Sequence, residues 1–390
     1  MKRVFKYLLI IIGIICILIS SFYIFKTYIF KESVNDKQKV EEKIDNPIEK
    51  EIYPKIHKLS MIMTGDALIH GSVYKDAHVG NNVYDFTKQV ELIKPIIQQY
   101  DLAYYNQETI IGGKNLGLSS YPMFNSPDEI GDCMLDMGFN LISLATNHTL
   151  DKGEKGVLYS TNYWKQKENI LAVGSYDNEE SRNTPIIKEK NGITYTMLSY
   201  TTVTNGLYPP TGKDYLTNIF TYEKAKTDIE KVRNKVDLVI VAMHWGEEYT
   251  HTPVPLQKEL ANYFSKLGVD IIIGTHPHVL EPIEYVGDTL VIYSLGNFIS
   301  AQVGIDKLTG ALLSLDITKT VNENQTTNIE ISNINAELIY TYYKNWKDFK
   351  VIPYKNLTDE ILPNYRNHYE KYSKVLKQYD NTIPVTSLEW

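Results

Sequence analysis

Side chains that can bind metal ions or move protons follow the short apolar runs of this sequence, at the point where each run ends. The set comprises Asp66, Glu108, Asn147, His148, Asp151, His244, His276 and His278, with His70, Glu247 and Asn297 as additional candidates. Imidazole, carboxylate and amide oxygen together suit divalent ions such as Mn²⁺, Fe²⁺ or Zn²⁺. A carboxylate among several histidines can bridge two ions about 3.5–4 Å apart, as in two-metal hydrolysis. The residue types therefore indicate a metal site.

The apolar runs themselves are predicted to be strands, separated by helical patterns. Strands are expected at 59–64, 102–105, 140–144, 195–200, 238–243, 270–273 and 290–295. Helices are expected near 87–99, 127–137, 154–167, 223–235 and 255–267. This alternation predicts α/β layers with mostly buried strands. Because the carboxyl ends of parallel strands meet along one edge of a sheet, the candidate residues are expected to lie together there.

Each candidate also has an explanation that involves no ligand. Asp66 after Gly65 fits a turn with an Asx hydrogen bond, and Glu108 alone fits a surface acid. Asn147 and His148 fit a helix cap, whereas His244 fits a buried core histidine. The most specific signal is the His-Pro-His segment at 276–278, since proline fixes φ and presents two imidazoles from one turn. No G-x-S-x-G or G-x-x-x-x-G-K-[ST] pattern occurs in the sequence, which argues against a serine hydrolase or a P-loop enzyme.

The N-terminus is predicted to be a membrane anchor, residues 1–31. The nineteen residues from Tyr7 to Phe25 carry no charge and nearly match the roughly 30 Å hydrocarbon core of a bilayer. Basic residues precede them, so the N-terminus is expected in the cytoplasm and the main domain outside the cell membrane. A cleaved signal peptide would have a shorter apolar stretch and small residues at its end, and Cys16 lacks the small preceding residue of a lipoprotein site. Residues 32–57 are predicted to be a charged, solvated spacer.

The charge balance limits the classes of partner. Five of the 40 basic residues and none of the 47 acidic ones lie in residues 1–31, which leaves a net charge of −12 for the remainder. Nucleic-acid binding is therefore not expected. Arginine occurs only four times, so an anionic ligand cannot depend on several guanidinium groups. A bound cation would supply the missing positive charge.

The C-terminal part of the chain differs from the rest. Residues 311–340 are predicted to form a β-hairpin around 322–326. We assign 58–340 to the main domain. Residues 341–390 are rich in Tyr, Lys and Asn, with a helical stretch near 358–377, and are predicted to be a C-terminal extension whose role the sequence does not define.

Six segments resemble the poly-γ-glutamate capsule biosynthesis proteins of the CapA type, which belong with the calcineurin-like metallophosphoesterases. They are MIMTGD at 61–66, NQE at 106–108, SLATNHTLDKGEKG at 143–156, VAMHWGEEY at 241–249, IIIGTHPHV at 271–279 and VIYSLGNF at 291–298. The resemblance implies a four-layer αββα sandwich, with two sheets face to face and helices outside. It does not extend clearly into residues 341–390.

The resemblance also implies roles for individual residues. The metal shell would be Asp66, Glu108, Asn147, His244, His276 and His278, holding two ions, with Glu108 as the bridging carboxylate. His148 would act as the acid, with Asp151 beside it. Metallophosphoesterases at large open with D-x-H, whereas this chain has Asp66-Ala67-Leu68, and His70, the candidate substitute, stands at a different spacing.

Two functions remain open at this stage. One is a membrane-anchored hydrolase in which metal ions activate water for attack on phosphorus, or on an amide or ester carbonyl, of a cell-surface anionic substrate. The other is a non-catalytic component that handles or exports the anionic polymer, or binds its synthase subunits in the membrane, through a bound metal. The two functions predict different effects of replacing His148. In the hydrolase, the change should abolish function while the metal stays bound, as an acid–base role requires.

Overall fold

The computed structural model describes residues 2–41 and 53–388, which belong to two separate units divided at Tyr53. In the N-terminal unit a single helix, α1, runs over Lys2–Glu41. Its segment Ile11–Lys31 is long and apolar enough to cross a bilayer, and none of it is buried within the protein. The predicted anchor lies in this helix, which continues into the predicted spacer. Residues 42–52 of that spacer lie outside the described residues.

The chain from Pro54 onward forms the second compact unit. Its strands are, in chain order, β1 (Lys55–Ala67), β2 (His78–Gly80), β3 (Val83–Tyr84), β4 (Leu102–Asn106), β5 (Leu141–Ser143), β6 (Leu171–Val173), β7 (Lys188–Lys190), β8 (Ile193–Thr201), β9 (Leu238–His244), β10 (Ile271–Thr275), β11 (Ile283–Val286), β12 (Thr289–Ile292), β13 (Asn297–Ile299), β14 (Thr309–Val321), β15 (Thr327–Lys344) and β16 (Lys347–Pro353). Its helices are α2 (Gly71–Asp76), α3 (Thr87–Val90), α4 (Lys94–Ile97), α5 (Asp128–Met137), α6 (Gly153–Lys165), α7 (Glu179–Asn183), α8 (Tyr222–Val232), α9 (Pro255–Lys266), α10 (Ile305–Leu308) and α11 (Tyr365–Leu376).

Two mixed sheets account for most of these strands. The first has the order β16-β15-β14-β1-β4-β5-β6, with β13 paired to the end of β1. Within it β1, β4, β5 and β6 are parallel, and β14 to β16 form an antiparallel edge. The second has the order β11-β12-β10-β9-β8-β7, with β12, β10, β9 and β8 parallel. The carboxyl ends of the parallel strands in each sheet therefore meet at one edge.

The sheets pack face to face, and helices cover their outer faces. Strand β1 illustrates this arrangement, since Met61 and Met63 enter the core between the sheets while Ile62 packs under the helices outside. Side chains alternate between the two faces of a strand, and both faces of β1 are buried. Ile240 and Ile273 enter the same central core from the second sheet, whose other face is covered by α8 and α9. The predicted four-layer αββα fold is confirmed.

The prediction of one continuous helix near 87–99 is wrong, because the segment forms two single-turn helices, α3 and α4. Pro95 explains the break, since it has no N–H to donate to the carbonyl of Glu91 and its ring would clash there. The predicted hairpin is confirmed, with β14 and β15 paired on either side of 322–326. Helices α5, α6, α8 and α9 also lie where the sequence predicted them.

The C-terminal residues are part of the compact unit. Strand β15 continues past residue 340 to Lys344, and β16 adds an edge strand to the first sheet. Tyr372 and Leu376 of α11 enter the central core, and Tyr372 Oη donates a 2.8 Å hydrogen bond to Asp306 in α10. The end of the chain is thereby attached to the loop that follows β13.

Candidate metal centre

The polar residues predicted from the strand ends meet where the carboxyl edges of the two sheets face each other. Asp66 lies at the end of β1, Glu108 follows β4, and His244 ends β9. His276 and His278 follow β10 directly. All five are almost completely buried, although each carries a polar or charged group. Among the described residues, the atoms that could bind a metal ion form groups in which every such atom lies within 4.8 Å of the others. These sets of potential metal ligands are called donor groups below.

The first group contains Asp66, Glu108 and His278. His278 Nδ1 lies 3.0 Å from Asn297 Oδ1 and 3.3 Å from Asp66 Oδ2. With Nδ1–H donating to Asn297, the Nε2 atom is left for a ligand, and it lies 3.4 Å from Glu108 Oε1. Such a partner on the other ring nitrogen is the usual way to orient a metal-binding histidine.

The second group contains Glu108, His244 and His276. His244 Nδ1 lies 3.0 Å from Thr275 Oγ1, and its Nε2 lies 3.0 Å from Asn147 Oδ1. The amide oxygen of Asn147 is therefore a second potential metal ligand next to Nε2 of His244. Nδ1 of His276 is buried and has no hydrogen-bond partner.

Glu108 belongs to both groups, and its environment is unusual for a carboxylate. Neither of its oxygens has a hydrogen-bond partner, and the side chain is fully buried. Burial raises the pKa of Glu108 well above its usual range, and the Asp66 charge adds to this effect, although His278 opposes it. A buried carboxylate without partners is costly. A cation on each side of Glu108 would remove that cost.

Burial and nearby charges shift the pKa values of the three histidines in different directions. Burial, reinforced by His278, lowers the pKa of His276 to about 3, and burial also lowers the pKa of His244 well below its usual value. Burial alone would lower the pKa of His278 too, but the nearby carboxylates, led by Glu108, raise it to about 9. His244 and His276 are therefore neutral near pH 7, the form that binds metal.

Both histidines of the His-Pro-His turn have positive backbone φ angles. His276 has φ 99° and His278 has φ 57°, a region that side chains other than glycine rarely adopt. The backbone N–H of His276 donates to Asp66 Oδ2 over 3.2 Å. The two imidazole rings are 5.9 Å apart and both face the donor groups. Strain of this kind persists where the surrounding structure and a function require it.

His148 and Asp151 form a buried pair beside the donor groups. His148 Nδ1 lies 2.7 Å from Asp151 Oδ2, and the same oxygen accepts a 2.6 Å hydrogen bond from the backbone N–H of Phe124. The Phe124 ring packs edge-on against the imidazole with centroids 4.7 Å apart. Asp151 therefore fixes the Nδ1–H tautomer and the ring orientation, which leaves Nε2 to exchange protons.

The three additional candidates are placed differently. Asn297 is buried and accepts from His278, while its own Nδ2 donates to the backbone oxygen of Lys307 over 2.8 Å. His70 is in none of the donor groups of the described residues, and its Nδ1 faces Leu68 O at 3.0 Å and the Ala301 N–H at 3.2 Å. Glu247 is exposed and is also outside these groups.

Two neighbours of the site were not among the predicted residues. Glu248, next to Glu247, forms a third donor group with His276 and His278. Asn106 Nδ2 donates a 2.7 Å hydrogen bond to Asp66 Oδ1 and orients that carboxylate. Asn106 ends a predicted strand, so its position offered a signal. Glu248 lies in a turn, where no strand or helix period indicates which of two adjacent acids faces inward.

The donor set fits divalent metal ions. It combines carboxylates, imidazoles and one amide oxygen, the ligands of Mn²⁺, Fe²⁺ and Zn²⁺. The unpartnered atoms of Glu108 and His276 point to the same conclusion, since buried polar atoms are otherwise satisfied by hydrogen bonds. Two groups that share one carboxylate match the arrangement of a two-metal site.

The model of the bacterial capsule synthesis protein family PGA_cap matches residues 60–302, and the chain belongs to that family. The matched range contains every residue of the donor groups. Membership in a CapA-type capsule biosynthesis family, predicted from six short motifs, is thereby confirmed.

Named relatives agree with this assignment. The PGA biosynthesis protein CapA of Bacillus subtilis is 30% identical over 253 residues, which cover 61% of this chain and 64% of that protein. The capsule biosynthesis protein CapA of Bacillus anthracis is 28% identical over 256 residues, which cover 63% of this chain and 60% of that protein. The chain thus spans less than two thirds of the length of either relative.

Solved structures with similar folds include a calcineurin-like phosphoesterase from Bacillus subtilis. It is 16% identical to this chain, with a TM-score of 0.42, and the match covers 71% of this chain and 91% of that protein.

Proposed function

We propose that this protein is a membrane-anchored, extracytoplasmic component of poly-γ-glutamate capsule biosynthesis that hydrolyses a cell-surface anionic substrate at a site holding two divalent metal ions. The observation that carries the proposal is Glu108, a fully buried carboxylate that has no hydrogen-bond partner at either oxygen and only a 3.4 Å contact with His278 Nε2, and that is shared by two groups of ligand atoms. A purely structural carboxylate would be expected to accept hydrogen bonds.

Each ion would be held by one of the two donor groups. Asp66 and His278 would hold one ion, His244, His276 and Asn147 the other, and Glu108 both. When bound, the ions polarise a phosphoryl oxygen and lower the pKa of water, so that hydrolysis proceeds at neutral pH. Mn²⁺, Fe²⁺ and Zn²⁺ all suit these donors.

His148 would complete the reaction as a general acid. Its Nδ1–H is held by Asp151 at 2.7 Å, so a proton on Nε2 can pass to the leaving oxygen as the ester bond breaks. Water would supply the hydroxyl that ends on phosphorus, and the alcohol would leave with the proton from His148. The other proton of the water would then pass to His148 and restore its protonated form.

The N-terminal helix supports the anchoring part of the proposal. Ile17, Phe22 and Ile24 are each about two thirds exposed, and large apolar side chains around a helix are stable in lipid rather than in water. Basic residues at 2, 3 and 6 would keep the N-terminus in the cytoplasm by the positive-inside rule. The metal site would then work outside the cell membrane, close to synthase subunits and to the emerging polymer.

A non-catalytic, polymer-handling role is the second candidate. Lys307 Nζ lies 4.6 Å from the centre of the Tyr249 ring, and that ring lies 6.1 Å from the ring of His278. Lys307 therefore gives a polymer carboxylate a local cation beside the metal centre, although the chain is acidic overall. In this role the metals and Lys307 bind glutamate carboxylates without bond cleavage.

His148→Ala separates the two functions. If the site is hydrolytic, we expect His148→Ala to lower the turnover of bis-p-nitrophenyl phosphate by about 10²–10⁴-fold, with the metal content unchanged, because only the proton donor is lost. His78→Ala, at an exposed histidine, is the matched control and should retain activity. A wild-type protein that binds metal but does not turn over the phosphodiester, together with equal capsule production in cells that express either variant, would contradict hydrolysis and favour polymer handling. Equal turnover by the two variants would remove His148 as the acid.

A further inference from the structure

Glu248 lies against the metal centre, although it is on the surface of the protein. A carboxylate oxygen of Glu248 lies within 4.8 Å of ligand nitrogens of both His276 and His278. These histidines belong to different donor groups, one with His244 and one with Asp66. Glu248 is therefore adjacent to both proposed metal positions, on the side that is open to solvent.

The protein donors leave coordination positions unfilled at each metal. The group around Asp66 has three donors, and the group around His244 has three together with the amide oxygen of Asn147. Ions of this type take four to six ligands. Nδ1 of His276, which is within the same group as Glu248, is buried and has no hydrogen-bond partner, as expected of a nitrogen that is free to bind a ligand.

The turn after β9 connects Glu248 to the His-Pro-His segment. The backbone N–H of Tyr249 donates a 2.8 Å hydrogen bond to the carbonyl of Pro277. Tyr249 has φ 67°, and Gly246 has φ 90° at a place where an added Cβ would lie 2.8 Å from the Gln257 side chain. The turn is therefore fixed at both ends, and Glu248 is held between them.

Two other candidate ligands belong to none of the donor groups of the described residues. His70 directs Nδ1 towards Leu68 O and the Ala301 N–H, and it belongs to no donor group of the described residues. Glu247 is exposed and likewise belongs to none. The two adjacent acids thus differ in position while they share charge and exposure.

We infer that Glu248 is a ligand of the metal centre, closing its solvent side with a third carboxylate. The inference rests on the proposed function, because it requires a metal at this site. A third carboxylate makes the site richer in oxygen, and oxygen donors favour Mn²⁺ over Zn²⁺. Glu248 therefore contributes to the choice of metal as well as to affinity.

The test compares Glu248→Gln with Glu247→Gln, which remove the same charge one residue apart. Mn²⁺ and Zn²⁺ are titrated into the metal-free full-length protein in detergent, followed by calorimetry and, for Mn²⁺, by electron paramagnetic resonance. Glu248→Gln should weaken Mn²⁺ binding at least tenfold and Zn²⁺ binding less, and should alter the Mn²⁺ spectrum. Glu247→Gln should match the wild type within about twofold for both metals, since it removes only a distant, solvent-screened charge.

Equal affinities and spectra for the two variants would overturn the assignment of Glu248 and leave the proposed metal site intact. A wild-type protein that binds neither Mn²⁺ nor Zn²⁺ would overturn the proposed function and the inference together. Because both substitutions are on the surface, circular dichroism of the two variants should match that of the wild type.

Discussion

Two buried charged clusters of this protein are built in opposite ways. Between α7 and α8, Arg182 makes two parallel hydrogen bonds of 2.9 and 2.8 Å to Asp228, and its Nε donates to Asn218. Tyr200 Oη donates a further hydrogen bond to Asp228. At the metal centre, by contrast, the buried Glu108 has no hydrogen-bond partner at either oxygen.

The difference between the two clusters indicates that the first stabilises the fold and that the second binds a ligand. The Arg182 cluster satisfies its charges internally, so it stabilises the packing of its helices and needs nothing further. The Glu108 cluster gathers acids and bases whose polar atoms are left incomplete, which costs stability unless a ligand arrives. We therefore expect substitutions in the first cluster to affect unfolding, and substitutions in the second to affect metal binding.

The largest effect on stability is expected from Arg182→Met. It leaves Asp228 buried without its bidentate partner, which should lower the free energy of unfolding by about 3–5 kcal/mol. Arg366→Met is the control, since Arg366 pairs with Asp359 at an exposed surface and should lose less than about 1 kcal/mol. Urea unfolding measures both. Equal losses would remove the distinction between the clusters.

Glu281 is another buried carboxylate, but it lies outside the donor groups and can therefore be compared with Glu108. Its Oε2 accepts a 2.6 Å hydrogen bond from Gln257, whereas its Oε1 has no partner. Burial raises the pKa of Glu281 to about 8, although the Gln257 hydrogen bond opposes the shift. The folded protein therefore keeps this proton at pH values where the unfolded chain has lost it.

Glu281 should consequently make the protein less stable as the pH rises from about 4.5 to about 8. Glu281→Gln removes this dependence and should raise the free energy of unfolding at pH 7 by on the order of 3 kcal/mol relative to the wild type, with little difference at pH 4. Unfolding curves at pH 4, 7 and 8 measure the difference. A variant that is less stable than the wild type at pH 7 would show that the carboxylate is ionised and well solvated.

Glu108→Gln tests the second cluster directly. It should weaken the binding of Mn²⁺ by at least 100-fold, more than is usual for loss of a residue that only orients a ligand. The metal-free variant should be at least as stable as the metal-free wild type, because no charge is buried at residue 108. Glu281→Gln, a matched buried carboxylate, should keep wild-type affinity. A stability loss in Glu108→Gln without a change in metal affinity would assign Glu108 a structural role.

The smallest effect is expected from Asn297→Ala, which removes the acceptor for His278 Nδ1. Metal affinity should fall about 10–100-fold, since the imidazole loses its fixed orientation but remains present. Asn262→Ala, on the exposed face of α9, should have no effect. Isothermal titration with Mn²⁺ measures both variants, and an unchanged affinity for Asn297→Ala would exclude this orienting role.

The sequence predicted the convergence of the donor residues because strand ends obey a simple geometric rule. Asp66, His244 and His276 lie at or just after the ends of parallel strands, and parallel strands bring their carboxyl ends to one edge. The nearly continuous apolar run at 59–64 likewise predicted a mostly buried strand, and both faces of β1 are buried. Both features follow from local patterns of apolar and polar residues, so they can be predicted from one sequence.

Other features depend on contacts distant in the chain. The choice between Glu247 and Glu248 is made by the positive φ at Gly246 and by a hydrogen bond from Tyr249 to Pro277. The extension of the fold beyond residue 340 depends on pairing of β16 with β15 and on α11 packing against Asp306. Neither set of contacts is marked by a periodicity or a motif in the sequence.

The central claim, that Glu108 bridges two metal ions, is tested most directly by anomalous X-ray diffraction from crystals of the full-length protein grown with Mn²⁺. The account predicts two anomalous peaks about 3.5–4 Å apart, one on the side of Asp66 and His278 and the other on the side of His244 and His276, with Glu108 between them. A single peak that Glu108 does not contact, or no peak near these residues, would contradict it.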